Sequence, residues 1–401
     1  MRRKDFPAVR VACAAVAAAA LMAEVAGCGP STTAKDTNPL ADTCLTNGAA
    51  PLALAVGARS NVPTTRFPPA VGALLQTAAN DQQQISLIRI DGQPKIFMQQ
   101  PFSTTAQNGP ARQADLNKYL NETIEPALRT TIHAQVPEAD ILTALNLAAS
   151  ATGPDGNIIV IDSGLQTVAP LQYQQRGMMM AQPADIVGFL RQQKLIPDLR
   201  GRHVLLSGFG YTAAPQPVLN QAERDNVIAQ WEAIIRAGGG CVTADPVANT
   251  TVEVAGSPSV AIAQLPPPTV IHPCGTTVLS DSGSVGFVVG TATFRNPSAA
   301  DATLRQLAST LKGSDEPVTL IGSTSSEGGD AVNNPLSQQR ADAVKSTLQS
   351  MGIASGRIAS TGEGSHYPGR VNDLGPGGEL LPAQAEQDRE VIVQLPSCRP
   401  G

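Results

Sequence analysis

The side chains of this chain that could carry out chemistry are mainly its six cysteines and four histidines. Each histidine is isolated, with no second histidine four residues away and no metal-ligand spacing to a cysteine. No C-x-x-C pair occurs, which argues against a zinc site or a redox motif. The sequence therefore predicts no catalytic residue, no metal site and no cofactor. The four histidines are His133, His203, His272 and His366.

The N-terminus has the layout of a secretory signal. A basic start precedes an Ala-rich apolar run, Val11–Val25, which Glu24 interrupts and which is too short to span a bilayer. The run ends in V-A-G-C, which resembles a lipobox, in which the cysteine becomes the acylated first residue of an exported lipoprotein. The resemblance implies lipidation of Cys28 and a mature protein that acyl chains hold to a membrane. An ordinary signal cut elsewhere, or a short anchor helix, is the alternative.

Cysteine usage agrees with export to an oxidising compartment. One cysteine lies in the signal and one would take the lipid, so four of the six remain, an even number that allows three pairings. Cys44 and Cys241 bracket one long segment, and Cys274 and Cys398 bracket the next. We therefore predict the disulfides Cys44–Cys241 and Cys274–Cys398, with free thiols as the alternative.

Composition and charge narrow the class of protein. The 401 residues suit two domains, and 42% apolar residues suffice for their cores. The chain has 28 basic and 33 acidic residues, for a net charge of −5, and no basic run in its mature part. This balance argues against nucleic acid as a partner. No second segment is long and apolar enough to span a membrane, so the body is expected to be soluble.

Composition also divides the chain. Residues 1–28 form the predicted signal, and 29–48 are polar and without periodicity, as in a flexible tether. Residues 245–273 contain six prolines and are predicted to be a stiff linker, with short edge strands at Val252–Val254 and Val260–Ile262 as an option. An α/β domain at 49–244 and a C-terminal domain at 274–401 remain.

In the α/β domain, short apolar runs alternate with segments of helical spacing, which predicts a mostly parallel sheet covered by helices on both faces. A tight Asp-Gly turn at 91–92 predicts a hairpin. Three consecutive methionines, Met178–Met180, favour core packing or a mobile loop over a soft contact surface. The predicted strands are Leu52–Val56, Ile85–Ile90, Lys95–Met98, Asn157–Ile161, His203–Ser207 and Cys241–Thr243, and the helices are Pro69–Ala79, Arg112–His133, Pro137–Ala149, Pro183–Gln193 and Pro217–Ala237.

This order of elements resembles the von Willebrand factor type A (vWA) fold, with a plain Rossmann-like or flavodoxin-like α/β fold as the alternative. The vWA family binds a metal at the carboxyl ends of its strands through an Asp-x-Ser-x-Ser motif, a Thr and a further Asp. Here the motif falls on Gly57, Arg59 and Asn61, the Thr position falls near Ala139, and Asp162 alone matches. Because a divalent cation needs several hard oxygen ligands, the comparison implies no metal. Asp162 is instead expected to cap a turn, in a degenerate domain that binds a protein or acts as a spacer.

The C-terminal domain combines α and β elements. Two runs in it are specific, IGSTSSEGGDAVNNPLSQQRADAV at 321–344 and GIASGRIASTGEG at 352–364. Together they resemble the OmpA-like, peptidoglycan-associated domain, which implies a βαβαββ fold and binding to the diaminopimelate part of the stem peptide. The predicted strands are Val285–Thr293, Val318–Gly322, Arg357–Thr361 and Val391–Gln394, and the helices are Ala299–Leu311 and Leu336–Met351.

The resemblance also implies the residues of the site. In the family a Thr-Asp pair, an Asn and an Arg form the pocket, and the Asp binds the ammonium group while the Arg binds the carboxylate bidentately. Thr324, Asn333 and Arg340 match, but the Asp position holds Ser325, whose neutral hydroxyl cannot replace the ion pair. Glu327 and Asp330 are the nearest acids. Two further departures are Arg389-Glu390 in place of a paired arginine and a long Gly/Pro-rich insert at 366–385.

Two functions are therefore expected as alternatives. The first is a lipid-anchored envelope protein, not an enzyme, that links the membrane to the cell wall by non-covalent peptidoglycan binding. The second is an envelope interaction scaffold whose OmpA-like domain has lost wall binding and packs on its neighbouring domain or on another envelope protein. Retention of Asn333 and Arg340 favours the first, and Ser325 favours the second.

Overall fold

A computed structural model describes residues 50–63, 69–128, 132–245 and 256–398. The predicted signal, the tether and Cys28 lie outside these residues. Among the described residues, no helix combines the length and the apolar character needed to cross a membrane.

The α/β domain has a six-stranded sheet in the order β3-β2-β1-β4-β5-β6. All neighbouring strands are parallel except β3, which pairs antiparallel with β2 as the predicted hairpin. The order reverses direction between β1 and β4, which are adjacent at the centre. The strands are β1 Leu52–Gly57, β2 Gln84–Ile90, β3 Lys95–Pro101, β4 Asn157–Ile161, β5 His203–Ser207 and β6 Cys241–Ala244.

Helices cover both faces of this sheet, which confirms the predicted mostly parallel α/β fold. Because side chains alternate along a strand, β1 contributes Ala53 and Ala55 to one apolar cluster and Leu52, Leu54 and Val56 to the other. Burial on both sides explains the continuous apolar runs of the central strands. The helices are α1 Pro69–Asn80, α2 Gly109–Tyr119, α3 Ile141–Thr152, α4 Pro183–Gln192 and α5 Gln221–Ala237.

Three helix predictions were wrong at their ends. The helix predicted over 112–133 is α2 followed by a π-helix, Leu120–Ile124. Helix α3 begins at Ile141 rather than at Pro137, because the Asp140 side chain accepts a hydrogen bond from the Thr143 backbone N–H and caps the first turn. Helix α5 begins at Gln221 rather than at Pro217, because Asn220 and Glu223 form a reciprocal capping box.

The C-terminal domain has a four-stranded sheet in the order β7-β10-β8-β9. β10 is antiparallel to both β7 and β8, whereas β8 and β9 are parallel. This order along the chain, βαβαβ followed by a short helix and β10, agrees with the predicted βαβαββ arrangement. The elements are β7 Thr276–Ser280, α6 Pro297–Lys312, β8 Val318–Gly322, α7 Asp330–Ser350, β9 Ile358–Gly362, α8 Pro382–Gln387 and β10 Glu390–Gln394.

The prediction that Val285–Thr293 is the first strand of this domain was wrong. The first strand is β7, which lies earlier in the chain. Val285 and Phe287 are buried in the domain core, but the segment folds as a loop with an isolated bridge between Phe287 and Phe294. Buried Asp281 holds the loop by accepting a hydrogen bond from the Phe287 N–H at 2.7 Å. The apolar residues therefore reflect core packing and ring stacking rather than strand pairing.

Helix α7 begins at Asp330, six residues before the predicted start, and contains Pro335. Its first turn forms because the Asn333 N–H bonds to the Gly329 carbonyl at 2.9 Å.

Glycines let the helix approach the sheet closely. A Cβ on Gly322 would lie 2.0 Å from the Ser337 carbonyl oxygen, and a Cβ on Gly362 would lie 2.2 Å from a backbone nitrogen of α7.

One predicted disulfide, Cys274–Cys398, is present and joins residues 124 positions apart. Cys241 is disulfide-bonded, and its predicted partner Cys44 lies outside the described residues. The predicted edge strand Val252–Val254 also lies outside them, and Val260–Ile262 is not a strand. The linker contacts the α/β domain, because the Val260 N–H donates to the Ser60 Oγ at 3.0 Å and the Ala263 N–H donates to the Gln216 Oε1 at 2.7 Å.

Candidate ligand-binding site

The candidate site starts where β8 ends. Ser323, Thr324 and Ser325 follow the strand, and each is at most 3% exposed. The Ser323 N–H bonds to the Glu390 carbonyl and the Thr324 N–H bonds to the Gly364 carbonyl, both at 2.9 Å. These bonds fix the backbone of the segment between β10 and the loop after β9.

Helix α7 places Asn333 beside this segment. The Asn333 Nδ2 donates to the Ser325 carbonyl at 3.0 Å. The Thr324 Oγ1 is buried and makes no hydrogen bond with any residue in the described part of the chain. The structure therefore brings Ser325 and Asn333 together beside Thr324, whose hydroxyl has no hydrogen-bond partner among the described residues.

Arg340 lies two helical turns further along α7 and is 3% exposed. Its guanidinium lies 5.1 Å from the centroid of the Phe287 ring, and its Nε donates to the Thr291 carbonyl at 3.0 Å. Burial lowers the pKa of Arg340, while the carboxylate of Asp281 acts against this shift. The loop that carries Phe287 and Thr291 thus covers the predicted carboxylate-binding arginine.

Arg389, just before β10, is a further residue of the site, and its role was not predicted from the sequence. Its Nη2 donates to the Ser325 Oγ at 3.0 Å. The same nitrogen lies 2.7 Å from Oδ2 of Asp185 in α4 and 3.5 Å from Oε2 of Glu327. Burial would lower the pKa of Arg389, but the surrounding carboxylates, Asp185 and Glu386 foremost, raise it overall.

The acids around Arg389 differ in environment. Glu386 is fully buried, and burial with the nearby charge of Asp281 raises its pKa well above the ordinary value. Burial also raises the pKa of Asp185 to about 6, although Arg389 acts against the shift. Of the two acids nearest to Ser325 in the sequence, Glu327 lies 3.5 Å from Arg389, whereas Asp330 contacts exposed His366 at 2.7 Å.

The insert at 366–385 supports the site. Buried Asp373 accepts hydrogen bonds from both the N–H and the Oγ of Ser326, each at 2.7 Å. Arg370 links Asp373, at 2.5 Å, to Asp388, at 2.9 Å. The insert therefore holds the residue after Ser325 in place, a role that its Gly/Pro-rich composition did not indicate.

The carboxyl ends of β1 and β4, where the vWA comparison would place a metal, hold an ion pair. Arg59 donates to both carboxylate oxygens of Asp162 at 2.6 Å, and both side chains are fully buried. The Gly164 N–H also donates to Asp162 at 2.9 Å, which confirms its expected role in capping a turn. The guanidinium occupies the position beside Asp162, so the acid's oxygens are already satisfied.

The residues near β8 have the charges and hydrogen-bonding groups for recognition of a charged ligand. A buried guanidinium at Arg340, an unpaired hydroxyl at Thr324 and the acids near Arg389 could bind a ligand that carries both a carboxylate and an ammonium group. Sequence reasoning missed the contributions of Asp185 and Glu386. Arg389 stands where the resemblance implies a paired arginine, so it could have been considered, whereas Asp185 resembles an ordinary acid in a first helical turn.

Residues 286–376 match the family described as "OmpA family", which makes the C-terminal domain OmpA-like. The match includes Thr324, Ser325, Asn333 and Arg340 but ends before Arg389. The probable lipoprotein YiaD of Escherichia coli is 38% identical over 119 residues, which cover 29% of this chain and 50% of that protein. Outer membrane protein A of Shimwellia blattae is 43% identical over 70 residues, which cover 18% of this chain and 29% of that protein.

A further match, 38% identical over 80 residues, is photosystem I P700 chlorophyll a apoprotein A2 of Gloeobacter violaceus, with 20% of this chain and 9% of that protein covered. The chain thus spans half or less of the length of each of these curated relatives. Among solved structures, the peptidoglycan-associated lipoprotein of Burkholderia pseudomallei is similar at 22% identity and a TM-score of 0.22. That similarity covers 27% of this chain and 84% of that one.

Proposed function

We propose that this protein is an exported lipoprotein of the cell envelope that links a membrane to the cell wall. Its OmpA-like domain would bind the diaminopimelate-containing stem peptide of peptidoglycan non-covalently. Cys28 would carry the lipid that holds the other end of the protein to the membrane. In this view the protein is a mechanical link and not an enzyme.

The observation that carries the proposal is the placement of Thr324 and Ser325 directly after β8, with Asn333 and buried Arg340 on helix α7. These residues lie within the OmpA family match, and all are at most 3% exposed. Arg340 can bind a carboxylate through two parallel hydrogen bonds, as the resemblance implies. The names of YiaD, a probable lipoprotein, and of the outer membrane relative support an envelope location.

A second function, an envelope scaffold without wall binding, is favoured by the contact at Ser325. The neutral hydroxyl accepts a hydrogen bond from Arg389, which is paired with Asp185 of the α/β domain. A ligand ammonium would then lack the carboxylate that the family supplies. The OmpA-like domain would serve to pack against its neighbour.

The α/β domain is proposed to be a protein-binding or spacer module, related to the vWA fold but without its metal. The Arg59–Asp162 ion pair at the carboxyl ends of β1 and β4 supports this proposal. Another envelope protein is its expected partner.

The test of wall binding is co-sedimentation of the full chain with purified peptidoglycan sacculi. Arg340→Ala should weaken binding by about 1.5–3 kcal/mol, because it removes a hydrogen-bonded contact to a charged group. Arg340→Lys keeps the charge but cannot form the bidentate contact, so it should also lose affinity. Arg305→Ala is the matched control, since the Arg305 side chain is exposed on α6 and pairs with Asp301.

Equal sedimentation of wild type and both Arg340 variants would show that the pocket is not used. Absence of binding by the wild type would favour the scaffold. Lipid anchoring is tested separately with Cys28→Ala, which should move the protein from the membrane fraction to the soluble exported fraction. Unchanged membrane partition would contradict the lipoprotein assignment.

A further inference from the structure

The α/β domain contacts the candidate site through the first turn of α4. Asp185, the third residue of α4, lies 2.7 Å from the same Arg389 nitrogen that donates to Ser325 Oγ at 3.0 Å. Asp185, Ser325 and Arg389 are each at most 4% exposed. A side chain of one domain therefore covers the position where the resemblance places the ligand-binding Asp of the other.

Close packing surrounds this ion pair. Gly177, with a φ of 93°, approaches α8 so closely that a Cβ would lie 2.1 Å from the Ala383 carbonyl oxygen. Met178–Met180 and Ala383 belong to one buried apolar cluster. The Gln387 side chain donates to the Arg176 carbonyl at 2.9 Å. The contact is thus a packed interface rather than a solvated surface pair.

The charges on the two sides of the interface are complementary. Buried Arg389 needs compensating carboxylates, because an unpaired buried charge is costly. Its own domain supplies Glu386 at 3.7 Å and half-exposed Glu327 at 3.5 Å. Since residue 325 is a neutral Ser, a carboxylate from another element can approach the guanidinium without repulsion from that position. Asp185 makes this approach.

We propose that the α/β domain is an internal competitor of the wall ligand, with Asp185 holding it over Ser325 and Arg389 of the OmpA-like domain. Wall binding would then require the two domains to separate at the interface of α4 and Met178–Met180 with α8. The competition with a wall ligand rests on the proposed function, whereas the docking of the domains does not.

The test uses the full chain and two variants that act on opposite parts of the interface. Asp185→Asn removes the charge that pairs with Arg389, and Gly177→Ala introduces a methyl group against the Ala383 carbonyl. Asp225→Asn is the charge control, on the exposed side of α5. Gly153→Ala is the backbone control, because Gly153 also has a positive φ of 66° but has no atom within 4 Å of an added Cβ.

Two measurements are made on each protein. Hydrogen–deuterium exchange of α4 and α8, without peptidoglycan, reports the opening of the interface. Co-sedimentation with sacculi reports wall binding. Both test variants should exchange faster in these helices and bind sacculi about tenfold more tightly, because apparent affinity is proportional to the open fraction. Both controls should behave like the wild type.

Unchanged exchange in both test variants would overturn the docking role of Asp185 and Gly177. Faster exchange with the same sacculus binding as the wild type would overturn the competition while the proposed function stands. Faster exchange with no sacculus binding by any protein would end both the competition and the proposed function.

Discussion

Ser325→Asp is expected to weaken the contact between the domains and to strengthen wall binding in the same protein. The new carboxylate would stand beside the Arg389 nitrogen that Asp185 already contacts. It would repel Asp185 and would also offer a counter-charge to a ligand ammonium group. Both effects favour the wall-bound, open form.

The magnitude follows from the geometry around Arg389. The Ser325 Oγ lies 3.0 Å and the Asp185 Oδ2 lies 2.7 Å from one nitrogen, so the two oxygens are at most about 6 Å apart. At an effective dielectric constant of about 20, two like charges about 5 Å apart repel by about 3 kcal/mol. A penalty of that size lowers the ratio of closed to open molecules by about a hundredfold.

The assay compares Ser325→Asp with Ser325→Asn, which is similar in size but carries no charge. Exchange of α4 and α8 and sacculus binding are measured for both variants, alone and combined with Asp185→Asn. If repulsion between the two carboxylates is the cause, the effects of Ser325→Asp and Asp185→Asn on the free energy of opening should differ from additivity by about 3 kcal/mol. The effect should also be smaller at pH 5 than at pH 8, because burial raises the pKa of Asp185 to about 6.

Equal effects of Ser325→Asp and Ser325→Asn would refute this reasoning, since they would point to side-chain volume rather than charge. Additivity of Ser325→Asp and Asp185→Asn would refute it as well. Stronger sacculus binding without faster exchange would mean that the ammonium counter-charge acts alone and that the domains do not compete.

Two further predictions concern stability. Replacing Cys274 and Cys398 with Ser should cost about 5 kcal/mol on the chain-entropy estimate for a loop of 124 residues, measured by urea unfolding with wild type as reference; an unchanged midpoint would contradict it. Burial raises the pKa of Glu390 to about 7, so the folded state holds a proton that the unfolded state has lost. Its contribution to the free energy of unfolding should therefore be fully present below about pH 4 and be lost as pH rises through about 7. Glu390→Gln should flatten this part of the pH profile; an unaltered slope would contradict the assignment.

Much of the fold could be predicted because central strands that are buried on both faces of a sheet appear in the sequence as continuous apolar runs. The apolar runs of β1, β4 and β5 gave their positions within a residue or two. The error at Val285–Thr293 has a physical cause, since Val285 and Phe287 enter the core from a loop that Asp281 holds. Apolar character alone cannot distinguish such a loop from a strand.

The local part of the site could also be predicted. Thr324, Ser325 and Asn333 are near one another in sequence, and the turn after β8 brings them together. Asp185 could not be found in this way, because it is far from Ser325 in the chain and lies in an ordinary first helical turn. Its partner becomes apparent when the packing of α8 against Gly177 brings the two domains together.

The substitution at residue 325 and the domain interface are linked through the charge of Arg389. A buried guanidinium must be compensated, and the acids of its own domain, Glu386 at 3.7 Å and Glu327 at 3.5 Å, lie farther from Arg389 than Asp185 does at 2.7 Å. If Asp were present at residue 325, it would supply that charge from within the OmpA-like domain and repel Asp185. With Ser there, Asp185 supplies the charge from the neighbouring domain and gains a binding partner. The same neutral hydroxyl that weakens recognition of an ammonium group therefore strengthens the contact that covers the site. Residue 325 thus changes the affinity for the wall ligand and the affinity between the two domains in opposite directions.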